Sequence, residues 1–174
     1  LNEQSVIIDG GGYNGEFADE IIKKSFNRIY IYEPDETFYK NLTEKYKLNI
    51  KVEVLNFALY SKEQIIKLSQ NLNASSIMED DKSGAEVKAV DIFKEFKKYN
   101  NIDLLKLNIE GAEFEVISRL IQTKEINKVK YLLVQFHREH DLDGSKLNKI
   151  TSEISKNYNE IFNYKYVWSL FIRK

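Results

Sequence analysis

Val6-Ile7-Ile8-Asp9-Gly10-Gly11-Gly12-Tyr13-Asn14-Gly15-Glu16-Phe17 is the stretch on which the fold turns. Its apolar opening reads as a buried strand, its glycines as a tight turn, and the residues from Gly15 onward as the start of a helix. Glycine lacks the side chain that would hold a ligand off, so backbone N–H groups in such a turn can approach one closely. Gly10, Gly12 and Gly15 also fit the spacing G-x-G-x-x-G of dinucleotide-binding turns, a pattern of low specificity by itself. Asp9 separates the possibilities. A carboxylate at the mouth of the turn repels a pyrophosphate and attracts a ligand that brings an amino group and a sulfonium. The stretch therefore favours S-adenosylmethionine over NAD. Asp9, Gly10 and Gly12 are expected at its methionine side, with Gly11, Asn14 and Gly15 completing the turn.

One strand later, Arg28-Ile-Tyr-Ile-Tyr-Glu33-Pro34 alternates in the manner of a strand and ends on an acid, followed by a proline that stops pairing. An acid at the end of the second strand of a doubly wound sheet is placed to accept hydrogen bonds from ribose hydroxyls. Glu33 serves either cofactor, so it supports adenosine binding without choosing a ligand. A solvated strand end is the plainer reading.

Outward from these two segments, strand-like and helix-like periodicities alternate along the whole chain. That is the mark of an α/β sandwich with a mostly parallel sheet. Phe17, Ile21 and Ile22 form a helical stripe, and Asp35 is placed to cap a helix carrying Phe38, Leu42 and Tyr46. Val52 to Phe57 is a third strand, with Asn56 at its end and Ala58 just beyond placed to frame an adenine. Ile65 to Leu68 and Val87 to Val90 are additional short strands around the irregular stretch Ser69 to Glu86. That stretch is either a surface loop or a lid over an acceptor site. Asp91 can cap a helix of Phe93, Phe96 and Tyr99. Asp103 to Asn108 is the fourth strand, Phe114 to Ile121 the helix behind it, and Val129 to Phe136 a fifth, doubly buried strand. A helix with Leu147, Ile150, Ile154 and Tyr158 follows. Tyr164 to Val167 and Leu170 to Arg173 then make an antiparallel pair at the sheet edge.

Read together, Val6 to Phe17, Tyr32-Glu-Pro, Asn56-Phe-Ala-Leu, Asp103-Leu-Leu-Lys-Leu-Asn-Ile-Glu-Gly-Ala-Glu113 and Val134-Gln-Phe-His137 resemble the FkbM family of S-adenosylmethionine-dependent methyltransferases. The resemblance runs from the first strand to the fifth. It implies a Rossmann-like class I methyltransferase sandwich, mostly parallel with an antiparallel C-terminal edge. It also places Ser75-Ser76 near the active site. Two positions depart from the family's pattern: Asn108 stands where aspartate is usual and Gln135 where glutamate is usual. Each exchanges a carboxylate for its amide, losing charge and keeping shape.

In open α/β sheets the ligand lies beyond the carboxyl ends of the strands. Asp9, Glu33, Asn56, Asn108, Glu110 and His137 all fall at such ends in this reading. Methyl transfer to a hydroxyl needs the acceptor close to the methyl carbon and a group to take its proton. Of the two histidines, His137 closes the fifth strand and is the candidate base, while His140 lies in a charged, solvated segment. Glu110 can bind the acceptor or orient the cofactor. Asn108 is expected at the cofactor's methionine end. Lys106 shares a strand face with Asn108 and Glu110 and reads best as a buried ion-pair partner. Glu113 is expected to cap or open the next helix. No metal is expected, because hard divalent cations prefer charged oxygen ligands and Asn108 supplies none.

Composition sets the remaining bounds. The chain has 174 residues, consistent with one domain over 1–174. A formal net charge of −1 from 26 basic and 27 acidic residues speaks against a nucleic-acid or membrane-surface partner. There is no cysteine for a disulfide or thiolate metal site, and no apolar run approaches the roughly 18 residues of a membrane span. The expected protein is a cytoplasmic O-methyltransferase acting on a sugar, glycan or small metabolite. Its competitors are a non-catalytic cofactor-binding domain of the same fold and an NAD-dependent oxidoreductase.

Overall fold

A computed structural model describes residues 5–24, 28–71, 74–77 and 84–174. β1 (Val6–Gly10) lies at the centre of a seven-stranded sheet. On one side the chain builds outward through α1 (Glu16–Lys24), β2 (Arg28–Tyr32), α2 (Glu36–Tyr46) and β3 (Val52–Leu55). It then returns to the other side of β1 with β8 (Ile102–Leu107) and β9 (Val129–Val134). β3, β2, β1, β8 and β9 are parallel, and β11 (Trp168–Arg173) and β10 (Tyr158–Tyr164) close the edge antiparallel. The sheet order is β10-β11-β9-β8-β1-β2-β3, so winding reverses between β1 and β8. That reversal splays the flanking connections apart and leaves a crevice at the carboxyl ends of the two strands. The expected architecture, including an antiparallel edge, is the one observed, but Lys165 to Val167, expected in the first edge strand, form the turn between β10 and β11.

Alternation along the strands sorts the core into two layers. Ile7, Ile29 and Ile31 pack with Ala18, Leu42 and Tyr46 under α1 and α2. Ile8, Leu105 and Leu107 face the opposite side, with Phe114, Ile117 and Leu120 of α4 (Glu113–Gln122) and Ile150 and Ile154 of α5 (Ser145–Ser155). Asp35 caps α2 by accepting from the Thr37 and Phe38 amides, which satisfies two donors that the first turn leaves open.

Several expectations are corrected. β3 ends at Leu55, short of the expected Phe57, and Ala58 opens a separate strand, β4 (Ala58–Tyr60). The irregular stretch Ser69 to Glu86, expected as a surface loop or a lid, holds the end of β5 (Gln64–Asn71) and all of β6 (Ala74–Ile77), which pair antiparallel. With β4 and β7 (Ala85–Asp91) they form a second sheet of order β4-β7-β5-β6. Polar composition concealed the hairpin because strand pairing depends on a partner's backbone as much as on side-chain type. Asn73, Asp80 and Asp81 of that stretch lie outside the described residues, as do the side chains of Ser75 and Ser76. α3 (Ile92–Phe96) ends before Tyr99. Tyr158 opens β10 instead of closing α5, and its hydroxyl donates to the Ile126 and Val129 carbonyls at 2.7 Å. Among the described residues no helix is long and apolar enough to cross a membrane.

Candidate functional site

The glycine turn needs glycine for a reason visible at the end of β8, the strand that pairs with β1. Gly11 has φ +82, and a Cβ there would lie 1.9 Å from the Asn108 carbonyl oxygen. The turn can therefore lie directly against the end of β8, where the Asn108 amide donates to the Gly10 carbonyl at 3.0 Å. Above this contact opens a cavity of about 450 Å³. Its wall includes Gly11, Gly12, Glu33, Pro34, Ala58, Asn108 and Glu110 among the residues expected there.

Glu33 ends β2 with its carboxylate in the wall, accepting from the Tyr13 amide at 2.8 Å and the Asp35 amide at 2.9 Å. Burial pushes its pKa above the usual carboxylate value, although these two N–H bonds work against the rise. Asn56 stands behind it. Its Nδ2 donates to the Glu33 and Pro34 carbonyls, so the amide fixes the acidic turn and does not face the cavity.

Asp9 is likewise behind the wall. It is fully buried and paired with Lys106, Nζ to Oδ1 at 2.8 Å. Lys106 Nζ also donates to the Gly10 and Gly11 carbonyls at 3.2 and 2.6 Å, which fixes the inner side of the turn. The expectation of Asp9 as a free charge facing the ligand is thereby revised, because the nearest cation is already in contact with it. Asn14 and Gly15 also stand outside the wall: the Asn14 carbonyl accepts from Lys45 and the Gly15 carbonyl from the Tyr46 hydroxyl.

At the end of β8, Glu110 adopts φ 53 and Gly111 φ 104. Left-handed backbone is costly for glutamate and has to be held by its surroundings. The holder is Glu113, fully buried, which accepts from the Ile109 amide at 2.7 Å and the Gly111 amide at 2.9 Å. It opens α4, as expected, but its carboxylate fastens the preceding turn instead of capping the helix. His137 stands behind Glu110, with Nδ1 3.0 Å from Glu113 Oε1 and Nε2 3.3 Å from Glu110 Oε2. Burial alone would lower the His137 pKa, but the hydrogen bonds and charges of the two carboxylates outweigh it and push it up to about 10. A ring that keeps both protons at neutral pH has no lone pair for a substrate proton, which corrects the reading of His137 as the base. His140 is half-buried with its ring against Gly111, not solvated as expected.

The wall also contains Tyr13, Glu16, Phe38 and Trp168, which the sequence reading did not assign to a site. Tyr13 lies inside the glycine motif and was within reach of that reasoning. Its ring meets that of Phe38 at 4.5 Å between centroids. Phe38 looked like part of a core stripe, and only its place at the first turn of α2 exposes it to the cavity. Trp168 enters from β11, and nothing local to it signals that role.

The chain matches the Methyltransferase FkbM domain over residues 9–166. Among curated proteins none matches it. Solved structures of the same fold include an rRNA methylase from Streptococcus thermophilus, with TM-score 0.59 and 10% identity over 99% of this chain and 89% of that one. The Streptococcus mutans protein SMU.1697c, solved in complex with SAH, has TM-score 0.59 and 11% identity over 100% and 91%. The fibrillarin pre-rRNA processing protein of Methanococcus jannaschii has TM-score 0.57 and 10% identity over 99% and 67%. At such identities the likeness is one of fold, and it agrees with the class I methyltransferase order of the sheet. The family match is of another kind: it begins at Asp9, ends within the last hairpin and takes in every wall and support residue except Trp168, so the chain belongs to the FkbM methyltransferase family.

Proposed function

We propose that the chain transfers a methyl group from S-adenosylmethionine to a hydroxyl of a sugar, glycan or small metabolite. The charge of the cavity carries this reading. Its wall holds three carboxylates, Glu16, Glu33 and Glu110, against one cation, Lys106, which is already paired with Asp9. Such a wall favours a cationic ligand and disfavours both a dinucleotide pyrophosphate and a phosphodiester chain. S-adenosylmethionine, when bound, supplies an electrophilic methyl carbon on a sulfonium. Glu33 is placed for the ribose hydroxyls. The Asn108 Oδ1 atom is buried without a hydrogen-bond partner among the described residues, which suits the amino group of the methionine end. Ala58 and Pro34 offer apolar surface for the adenine. Glu110 marks the acceptor side.

Calorimetric titration with SAH and with NAD tests the ligand. SAH should bind and NAD should not. Glu33→Ala should weaken SAH by about 1.5–3 kcal/mol, the range for a charged hydrogen bond, with circular dichroism unchanged. Equal affinity in a folded Glu33→Ala protein would sink the placement. Methyl transfer from labelled S-adenosylmethionine to nucleotide sugars and oligosaccharides, with RNA in parallel, tests the acceptor class. Transfer to RNA alone would overturn it.

A further inference from the structure

We propose that the Glu110 carboxylate receives the proton of the acceptor hydroxyl, and that His137 and Glu113 act behind it as positioning residues. The proposal rests on the methyltransferase reading above and assigns the acceptor side of that site. Of the three carboxylates in the wall, Glu33 has both oxygens engaged by the Tyr13 and Asp35 amides. Glu16 is exposed to solvent, at the first turn of α1 and not at a strand end. Glu110 alone stands at the end of β8 with Oε1 free of hydrogen bonds among the described residues.

The surrounding contacts explain why this carboxylate points where it does. Glu113 accepts from the amides on either side of Glu110, those of Ile109 and Gly111, and so holds the left-handed turn closed. The same carboxylate takes His137 Nδ1, which aims Nε2 at Glu110 Oε2. The charged groups facing the ring are thus Glu110 and Glu113, with Arg138 next in the chain and His140 packed on Gly111. Both ring nitrogens meet carboxylates, so the imidazolium is a pin and not a base. This agrees with its pKa of about 10. It engages one oxygen of Glu110 and leaves the other for the substrate.

The step balances simply. The acceptor oxygen forms a bond to the methyl carbon as the carbon–sulfur bond breaks, and that electron pair stays on sulfur as a neutral thioether. The hydroxyl proton passes to Glu110, which becomes a neutral acid, while His137 keeps its charge. An alcohol oxygen that has gained a third bond is a far stronger acid than any carboxylic acid. A carboxylate of ordinary strength therefore suffices, provided it is in contact with the proton.

Two measurements test this. In nitrogen-15 spectra of the ligand-free protein, both His137 nitrogens should be protonated at pH 7.5 and should titrate well above it. A ring that loses its proton near 6.5 would overturn the proposal whatever the substrate. In the acceptor panel, Glu110→Gln should lower kcat about 100-fold or more while SAH affinity is unchanged. Glu110→Asn, whose side chain tolerates a left-handed backbone, guards against misfolding and should fall likewise. His137→Gln should lose less, and its kcat profile should keep the acidic limb of the wild type. Full turnover in both Glu110 variants would also overturn the assignment. If SAH does not bind the wild type, the methyltransferase reading fails, and the nitrogen spectra still report whether His137 is the pin described.

Discussion

At the scale of single residues, the site is built in two ranks. Glu33, Asn108 and Glu110 stand in the cavity wall, and Asn56 and His137 stand behind the first and the last of them. Asp9 stands behind Lys106 in the same manner. Six of these seven positions, all but Lys106, were legible as polar strand ends, since chemistry-bearing residues in this kind of sheet gather there. Which rank each occupies was not legible, because it depends on where the side chain finds its partner. Asn108 illustrates what the front rank asks for. Its side-chain oxygen is buried and has no partner among the described residues, so it can accept from an amino group, yet it has no charge to hold a divalent cation. We expect methyl transfer to be insensitive to EDTA, and Asn108→Asp to keep SAH binding with turnover equal or higher. Activity abolished by EDTA and restored by magnesium would show this view to be wrong.

At the scale of elements, the glycine turn and the end of β8 form one unit. The register Asp9↔Lys106 sets the two residues side by side, and Lys106 reaches from there to the carbonyls of Gly10 and Gly11. By its sequence position Lys106 reads as a buried ion-pair partner. Its pairing with Asp9, 97 residues away, could not be read because register between distant strands is set by the packed sheet. Removing the ammonium leaves a carboxylate fully buried without its counter-charge. Lys106→Met should therefore lower unfolding free energy by about 3–5 kcal/mol, measured by urea denaturation. Adding Asp9→Asn should recover much of the loss, since the charge is then gone from both sides. A loss as large in the double variant would mean that Lys106 acts through packing alone.

At the scale of the whole molecule, the pinned histidine links stability to pH. Folding raises the His137 pKa from its ordinary 6.5 to about 10, so the folded state holds a proton that the unfolded state releases first. The stabilisation is complete below about pH 6.5 and is lost as pH rises from there through about 10. Tm should fall across that window, and His137→Gln should flatten the slope at a lower plateau. An equal slope in the variant would assign the titration to another group.

The division between sequence and structure follows the range of the interactions. Strand and helix periods, the glycine turn and the cap at Asp35 are local patterns, each contained in a few consecutive residues, and they suffice for a wound α/β sheet and for the family. They fail where an element exists by virtue of its partner: the hairpin of β5 and β6, and Tyr158, which opens β10 with its hydroxyl held by the Ile126 and Val129 carbonyls. The site follows the same rule. Local sequence placed acids, amides and a histidine at strand ends. Only tertiary packing could neutralise Asp9 with Lys106, bring Trp168 to the wall and set His137 between two carboxylates. Charge and protonation are properties of neighbours in space, and these neighbours lie from 24 to 97 residues apart in the chain.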